Sequence, residues 1–353
     1  MTKFAIITDT HFGARGDSEA FLDYQKRFLD DIFFPYLRKN KINDVIHLGD
    51  LVDRRKYINF QTAKRMREDF ILPLWDKNVH FIAGNHDVYY RSTNQINVYS
   101  ELLQGYDHKV YLDTNEVIID DETFLFVPWI NPENQTKSLD LISKTKAQIC
   151  MGHLELVGFE AIRGHTMDHG MSPSLFDKFD VVMSGHYHYK SSKGNIHYLG
   201  SPYQMNWGDF GDPRGFHIFD TKTRKIEFIE NTYSLFSKFF YNDAEKDKSV
   251  LKKELDKTQI DGVYCKVIVE NKTDPYIFDW LIAEIEKKNP LDLKIVEAQE
   301  VFSRDYVEED TKVEDTLTVL RSSVRSVDVE DAKKKQLETL MVDLYNQAQV
   351  NQI

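Results

Sequence analysis

Aspartate, histidine and asparagine recur in five short clusters along the first two-thirds of the chain: Asp9-Thr10-His11, Gly49-Asp50-Leu51-Val52-Asp53, Gly84-Asn85-His86-Asp87, Gly152-His153 and Gly185-His186-Tyr187-His188. Carboxylate and amide oxygens mixed with imidazole nitrogens, without cysteine, suit Mn2+, Fe or Zn2+, with Mg2+ a further candidate, better than Ca2+, which prefers oxygen alone. Asp9 and His11 lie two apart, so on an extended segment both point to one side and can meet one ion. His186 and His188 are expected to share a side in the same way. Asp50 has two carboxylate oxygens and can bridge two ions, Asn85 offers an amide oxygen, and His153 an imidazole. Two divalent ions about 3.5–4 Å apart are machinery for in-line attack on a phosphate ester. His86, beside Asn85, is expected to face the phosphate and give it a proton or hydrogen bond. Asp53 is expected to orient His86 by a hydrogen bond.

Other polar residues carry weaker signals. Arg54 and Arg55 follow Asp53 and are candidate phosphate contacts, a solvated charge pair being the alternative. His47 reads as packed and hydrogen-bonded within an apolar strand, and His80 and His197 as strand surface. His165 and His169 fall in a loop that either lines the substrate path or is simply exposed.

Short apolar runs must place these clusters. Lys3–Thr8, Asp44–Leu48 and Val79–Ala83 read as strands that end at the first three clusters. A helix from Ser18 as N-cap to about Lys39, kinked or shortened by Pro35, and another from about Gln61 to Trp75 lie between them. This alternation indicates right-handed crossovers and a mostly parallel sheet with its site at the strand C-termini. Further strands are expected at Val117–Ile119, Phe124–Val127, Ile149–Met151, Val181–Ser184, Ile196–Leu199, Phe216–Phe219 and Lys225–Ile229. So many strands favour a two-sheet sandwich with flanking helices. The pattern changes near Thr232–Tyr241. A helix over Glu245–Lys257, a strand over Gly262–Val269, a helix over Tyr276–Lys288 and a strand over Leu293–Ala298 form a small α/β module without metal motifs. Residues 304–328 read as a linker. A helix in 329–353 then carries Leu337, Leu340, Met341, Leu344 and Tyr345 on one stripe, which suits docking to another protein.

The net charge of -12 and pI near 5.5 argue against a whole-surface polyanion binder, so a second, more basic protein is expected to help hold any nucleic acid. Cys150 and Cys265 sit in apolar strand-like runs and read as buried thiols, which fits a reducing cytoplasm. The N-terminus leads straight into a motif-bearing strand and does not read as a signal peptide, and no apolar run is long enough to span a bilayer.

Taken in order, the blocks D-x-H, G-D-x-x-D, G-N-H-D, G-H and G-H-x-H resemble the calcineurin-like metallophosphoesterase signature. The stretch Gly200-Ser201-Pro202-Tyr203-Gln204-Met205-Asn206-Trp207, with Arg214-Gly215-Phe216, is similar to the nuclease subunits of SbcCD-type recombination and repair complexes, most of all those of T-even-like bacteriophages. The resemblance implies an α/β fold: a four-layer αββα sandwich over residues 1–235, a small α/β capping domain at 236–303 that is a DNA-recognition candidate, and the partner-binding C-terminal helix. It implies Asp9, His11, Asp50 and His188 on one metal, and Asp50, Asn85, His153 and His186 on the other, with His86 as the transition-state histidine. It further implies Mn2+-dependent exonuclease and endonuclease cleavage of DNA in recombination, repair and replication. The implied partner is an SMC-like coiled-coil ATPase, with a homodimer inside a heterotetramer in the host cytoplasm. The alternatives are a stand-alone small-molecule phosphodiesterase or phosphatase, and a non-catalytic scaffold on a decayed fold.

Overall fold

The computed structural model describes residues 3–297 and, beyond them, Lys333, Leu337 and Leu340. The chain divides into two compact units, 1–301 and 302–353.

In the first unit the strands run β1 (Lys3–Ile7), β2 (Asp44–His47), β3 (Asn78–Ile82), β4 (Lys109–Tyr111), β5 (Asn115–Ile119), β6 (Glu122–Val127), β7 (Ile149–His153), β8 (Glu160–Ile162), β9 (His165–Thr166), β10 (Val181–Gly185), β11 (Ser191–Lys193), β12 (Ile196–Tyr198), β13 (Gly215–Asp220) and β14 (Ile226–Glu230). They form two six-stranded sheets, in the orders β14-β13-β1-β2-β3-β4 and β11-β12-β10-β7-β6-β5, and β8 pairs with β9 as a separate hairpin. In the first sheet β1 to β4 are parallel and β13 and β14 antiparallel; in the second, β6, β7, β10 and β12 are parallel and the edge strands β5 and β11 antiparallel.

The side-chain period of two builds the layers. Phe4 and Ile6 of β1, Phe124 and Phe126 of β6, Ile149 and Met151 of β7, and Val181 and Met183 of β10 meet in one core between the sheets. Their alternates Ala5 and Ile7 face the helices that cover the first sheet. Leu125, Val127, Cys150 and Val182 face the layer outside the second. Strands buried on both faces read as continuous apolar runs, which explains why they stand out in the sequence. The expected four-layer α/β sandwich is what forms, and both cysteines are buried and free.

The two long helices survive their prolines by one device. Helix Glu19–Phe28, capped by Ser18, passes into a π-turn at Leu29–Phe33 and resumes at Phe34–Asn40, with Pro35 in the first turn of the resumed segment. Likewise Phe60–Arg65 passes into a π-turn at Met66–Ile71 and then a 3-10 turn at Leu72–Leu74 that holds Pro73. Proline lacks an N–H and its ring crowds the preceding turn, and the wider turn absorbs both. Pro35 therefore neither ends nor shortens the helix.

The small module is β15 (Phe236–Asn242), helix Lys248–Lys257, β16 (Tyr264–Asn271), helix Pro275–Glu286 and β17 (Asp292–Glu297), with all three strands parallel. β4, β8, β9 with His165, β11 and β15 are not among the expected strands; the first four are only two or three residues long, and in β15, Phe-Ser-Lys-Phe-Phe-Tyr-Asn, neighbouring aromatics blur the alternation. Asp247 and Asp274 cap the two helices. Phe239, Tyr241, Val267, Leu251, Leu281 and Ile285 belong to its own core. Phe236 and Tyr264 instead pack against the main helix-side core.

In the second unit, Lys333, Leu337 and Leu340 are helical, and both leucines are exposed. Met341, Leu344 and Tyr345, and the expected linker at 304–328, lie outside the described residues. Among the described residues no helix is long and apolar enough to cross a membrane.

Candidate metal centre

The clusters occupy the C-terminal ends of β1, β2, β3, β7 and β10, or the first residues past them. The chain turns sharply there. Asp9, His11, Asp50 and His186 have φ of 52°, 43°, 57° and 85°. Left-handed backbone costs a non-glycine residue about 1–2 kcal/mol, and its concentration at one rim is strain of the kind found at functional sites. The expectation that Asp9 and His11 share a side through extended backbone is thus corrected: they converge through two left-handed residues. Hydrogen bonds from Asp9 N to Gly49 O and from His11 N to Asp50 O, both 3.0 Å, join the first two loops.

Besides a grouping of His86 with His11 and Asp50, two groups of ligand atoms result. In the first, His11 Nε2 lies 3.0 Å from His188 Nε2, 3.9 Å from Asp9 Oδ1 and 3.7 Å from Asp50 Oδ2. In the second, His153 Nε2 lies 2.8 Å from Asn85 Oδ1 and 3.3 Å from Asp50 Oδ2, and His186 Nδ1 lies 3.0 Å from Asn85 Oδ1. Asp50 Oδ2 therefore stands between the groups. His186 and His188, expected on one side, go to different groups because His186 adopts the left-handed turn. With metal–ligand bonds of about 2.0–2.2 Å, ligand atoms around one ion stand roughly 2.8–4.4 Å apart, from neighbouring to opposite positions, so these spacings fit divalent ions. His153 Nδ1 meets the Leu48 carbonyl at 2.7 Å, which leaves Nε2 to face Asn85 and Asp50.

Asp9, His11, Asp50, Asn85 and His153 are buried and form the floor; His86, His186 and His188 are partly exposed and form the open side. Burial opposes charge on His153, yet the carboxylates of Asp50 and Asp9 hold its imidazolium up at about 9. Burial pushes Asp9 up to about 6. Burial would raise Asp50 too, but His153, His86 and His11 keep it well below the carboxylate range. The floor is a field that favours positive charge.

His86 N donates to Asp50 Oδ1 at 2.8 Å, and its ring Nδ1 meets the backbone carbonyl of Asp53. The contact expected from Asp53 is present, but through its main chain. Its carboxylate instead faces His11 Nδ1 at 3.5 Å. Arg54 pairs with Asp17 at 2.6 Å and lies over the Tyr57 ring, while Arg55 is half-buried. His47 is buried, hydrogen-bonded to Thr10 Oγ1 and Gly49 N. His80, expected at the surface, is 1% exposed because the second sheet covers it: it bonds Tyr111 and packs on Phe126. His197 is half-buried beside Ser192. His165 and His169 are exposed, and His169 pairs with Glu155 at 3.2 Å.

Sequence reasoning misses the residues that hold the loops. Asp87 accepts from Asp50 N, Leu51 N, Gly84 N and the Tyr99 hydroxyl, each at 2.8 Å, and so ties the second cluster to the third. Its place inside a cluster is the signal that could have found it. Gln25, fully buried, donates to Thr10 O and Tyr203 Oη, both at 2.7 Å. Nothing in its helical context marks it. Trp129 places its ring 5.3 Å from that of His186, tilted by 42°. Gly84 is required by close approach, since a Cβ there would overlap Asp50.

Comparison with known proteins agrees with this geometry. Residues 2–190 match the family described as calcineurin-like phosphoesterase. Exonuclease subunit 1 of Enterobacteria phage T4 is 31% identical over 349 residues, covering 98% of this chain and 92% of that protein. A subunit of the nuclease SbcCD of Staphylococcus saprophyticus is 25% identical over 257 residues, covering 64% of this chain and 67% of that protein. A solved structure described as a novel archaeal phosphodiesterase aligns with 65% of this chain and all of its own, at 16% identity and a TM-score of 0.34, too low to bear on the fold. The family match over more than half of the chain, and a relative alike along nearly all of it, lead to one conclusion: the chain belongs to the calcineurin-like phosphoesterase family, hydrolases of phosphate esters that work with divalent metal ions.

Proposed function

We propose that this chain is a metal-dependent DNA nuclease, with exonuclease and endonuclease action, and the nuclease subunit of a complex with an SMC-like ATPase in recombination, repair and replication. The observation that carries the reading is Asp50 Oδ2 between two ligand groups, in a chain whose full-length relative is named an exonuclease subunit. Asp9, His11, Asp50 and His188 would hold one ion, and Asp50, Asn85, His153 and His186 the other, with Mn2+ the proposed metal. Two such ions, when bound, polarise a phosphoryl oxygen and lower the pKa of an attacking water.

The remaining steps belong to side chains. Nδ1 of His86 meets the Asp53 carbonyl, which orients the ring, and in the doubly protonated imidazolium form Nε2–H would donate to a phosphate oxygen as charge develops. The buried floor excludes water from behind the ligands, so substrate enters from the side of His86, His186 and His188. Arg54 and Arg55, next to Asp53, would meet a neighbouring phosphate.

The module from residue 236 onward is read as a DNA-recognising cap. Lys238, Lys266 and Lys294 stand in register across its three strands, with Lys294 exposed and Lys266 buried over the Trp207 ring. Exposed basic side chains such as Lys294 suit a polyanion. The helical, exposed Leu337 and Leu340 support docking of the C-terminal segment on the ATPase, within a heterotetramer built on a homodimer of this chain. The names of both relatives, each a subunit, support a multi-chain complex.

The test is Mn2+-dependent hydrolysis of linear DNA by the purified chain, alone and with its ATPase, beside the model diester bis-p-nitrophenyl phosphate. Cleavage of DNA is expected. Cleavage of the model diester with DNA untouched in both states would move the assignment to a small-molecule phosphodiesterase.

A further inference from the structure

We infer that Arg214 is a positioning residue for His188, acting through the His188 carbonyl; the inference rests on the two-ion reading above. His188 follows β10 in a segment without regular structure, and its side chain is 29% exposed. Its carbonyl oxygen is held twice. The Ser201 amide donates to it at 3.2 Å, and Nη1 of Arg214 donates to it as well.

Arg214 lies more than 200 residues from the first cluster, on the approach to β13, and its side chain is only 4% exposed. Nη1 also donates to Ser201 Oγ at 2.8 Å, and Nη2 donates to Asp209 Oδ1 at 2.5 Å with Asp212 Oδ2 at 3.4 Å. The second oxygen of Asp209 accepts from Met205 N and Asn206 N at 2.7 and 3.1 Å, which pins the turn that carries Asp209. Arg163 contacts Asp212 from the other side.

A guanidinium buried this far is costly, and apolar side chains of similar volume often serve stability as well or better. The geometry gives the arrangement a use. One flat fork is locked by a carboxylate at one end and presents its other end to the main chain of a metal ligand. A lysine offers one compact charge and cannot bridge both ends. Shifting the His188 carbonyl would shift the imidazole that stands 3.0 Å from His11 Nε2, in the group that holds one ion and not the other. Removing partners behind a metal ligand typically lowers metal affinity 10–100-fold.

The experiment is Mn2+ titration by calorimetry of the full chain, its Arg214→Lys, Ser201→Ala and His188→Ala variants and the Arg214→Lys/His188→Ala double variant, each with a thermal melt. The wild type is expected to bind two Mn2+. Arg214→Lys should weaken one site by about 10-fold or more and spare the other. Ser201→Ala, which leaves the Asp209 pair intact, should shift the same site less. Arg214→Lys should add little in the His188→Ala background, because both act at one ligand. A lowered melting temperature with both affinities unchanged, or a penalty fully additive to that of His188→Ala, would overturn the assignment of Arg214 alone. Should Arg214→Lys fail to fold, Ser201→Ala decides: unchanged affinity contradicts the inference. A wild type that binds fewer than two ions would remove the two-ion reading and this inference with it.

Discussion

Asp87 and His86 are adjacent and do different work. Asp87 is buried beneath the loops and accepts three main-chain N–H groups at 2.8 Å. Asp87→Ala leaves those donors buried without an acceptor, at about 1–3 kcal/mol each. The expected loss is at least about 3 kcal/mol by urea unfolding, and a variant within about 1 kcal/mol of wild type, against the roughly 1–3 kcal/mol that each orphaned donor should cost, would show that water or a loop shift replaces the carboxylate. His86 is partly exposed, and its Nδ1 meets the Asp53 carbonyl. His86→Ala should lower kcat on a model diester by roughly 10²–10⁴-fold while the bound Mn2+ is unchanged. Loss of metal together with activity would make His86 a ligand instead. The site is legible from sequence where a residue's role follows from its own donor atoms: Asp9, His11, Asp50, Asn85, His153, His186 and His188 do converge. It is illegible where the role depends on partners distant in sequence. Gln25 and Trp129 carry no local pattern, Arg214 is marked by its Arg-Gly-Phe stretch but not by its role, and the use of Asp53 through both its carbonyl and its carboxylate is a matter of backbone path.

Among elements, strands buried on both faces are readable almost residue for residue, since continuous apolar runs bounded by glycine have few alternatives. Proline is less readable. Its effect on a helix depends on whether the preceding turn can widen, and the π-turns at Leu29–Phe33 and Met66–Ile71 are packing solutions that composition does not announce. β15 escapes notice for a related reason, as its apolar residues serve two different cores. The cap offers a pH test. Asp243 accepts from Thr273 N and Asp274 N, both at 2.7 Å, and from the Tyr241 hydroxyl at 2.8 Å. Burial alone would raise its pKa, but these donors bring it down from 3.8 to about 2. A carboxylate depressed in the folded state contributes stability that is present above its unfolded pKa and lost as pH falls through the folded one. Asp243→Asn should therefore destabilise the cap at about pH 6, with a difference from wild type that shrinks between about pH 4 and pH 2. A difference constant across that window, followed by urea midpoints, would assign the effect to packing.

At the scale of the molecule, a chain of net charge -12 carries a site built to collect positive charge, together with a lysine row on its small module. Catalysis and recruitment are expected to separate. Deleting residues 329–353 should abolish copurification with the ATPase yet preserve Mn2+-dependent hydrolysis of a model diester, and loss of both would place the tail in the fold of the enzyme itself. The central claim concerns Asp50, whose single oxygen stands 3.7 Å from His11 Nε2 and 3.3 Å from His153 Nε2. Equilibrium dialysis against Mn2+, with metal counted per chain, tests it most directly. The wild type should saturate at two ions, and Asp50→Asn should weaken both; one ion in the wild type, or two at unchanged affinity in Asp50→Asn, would contradict a shared carboxylate at the centre of the site.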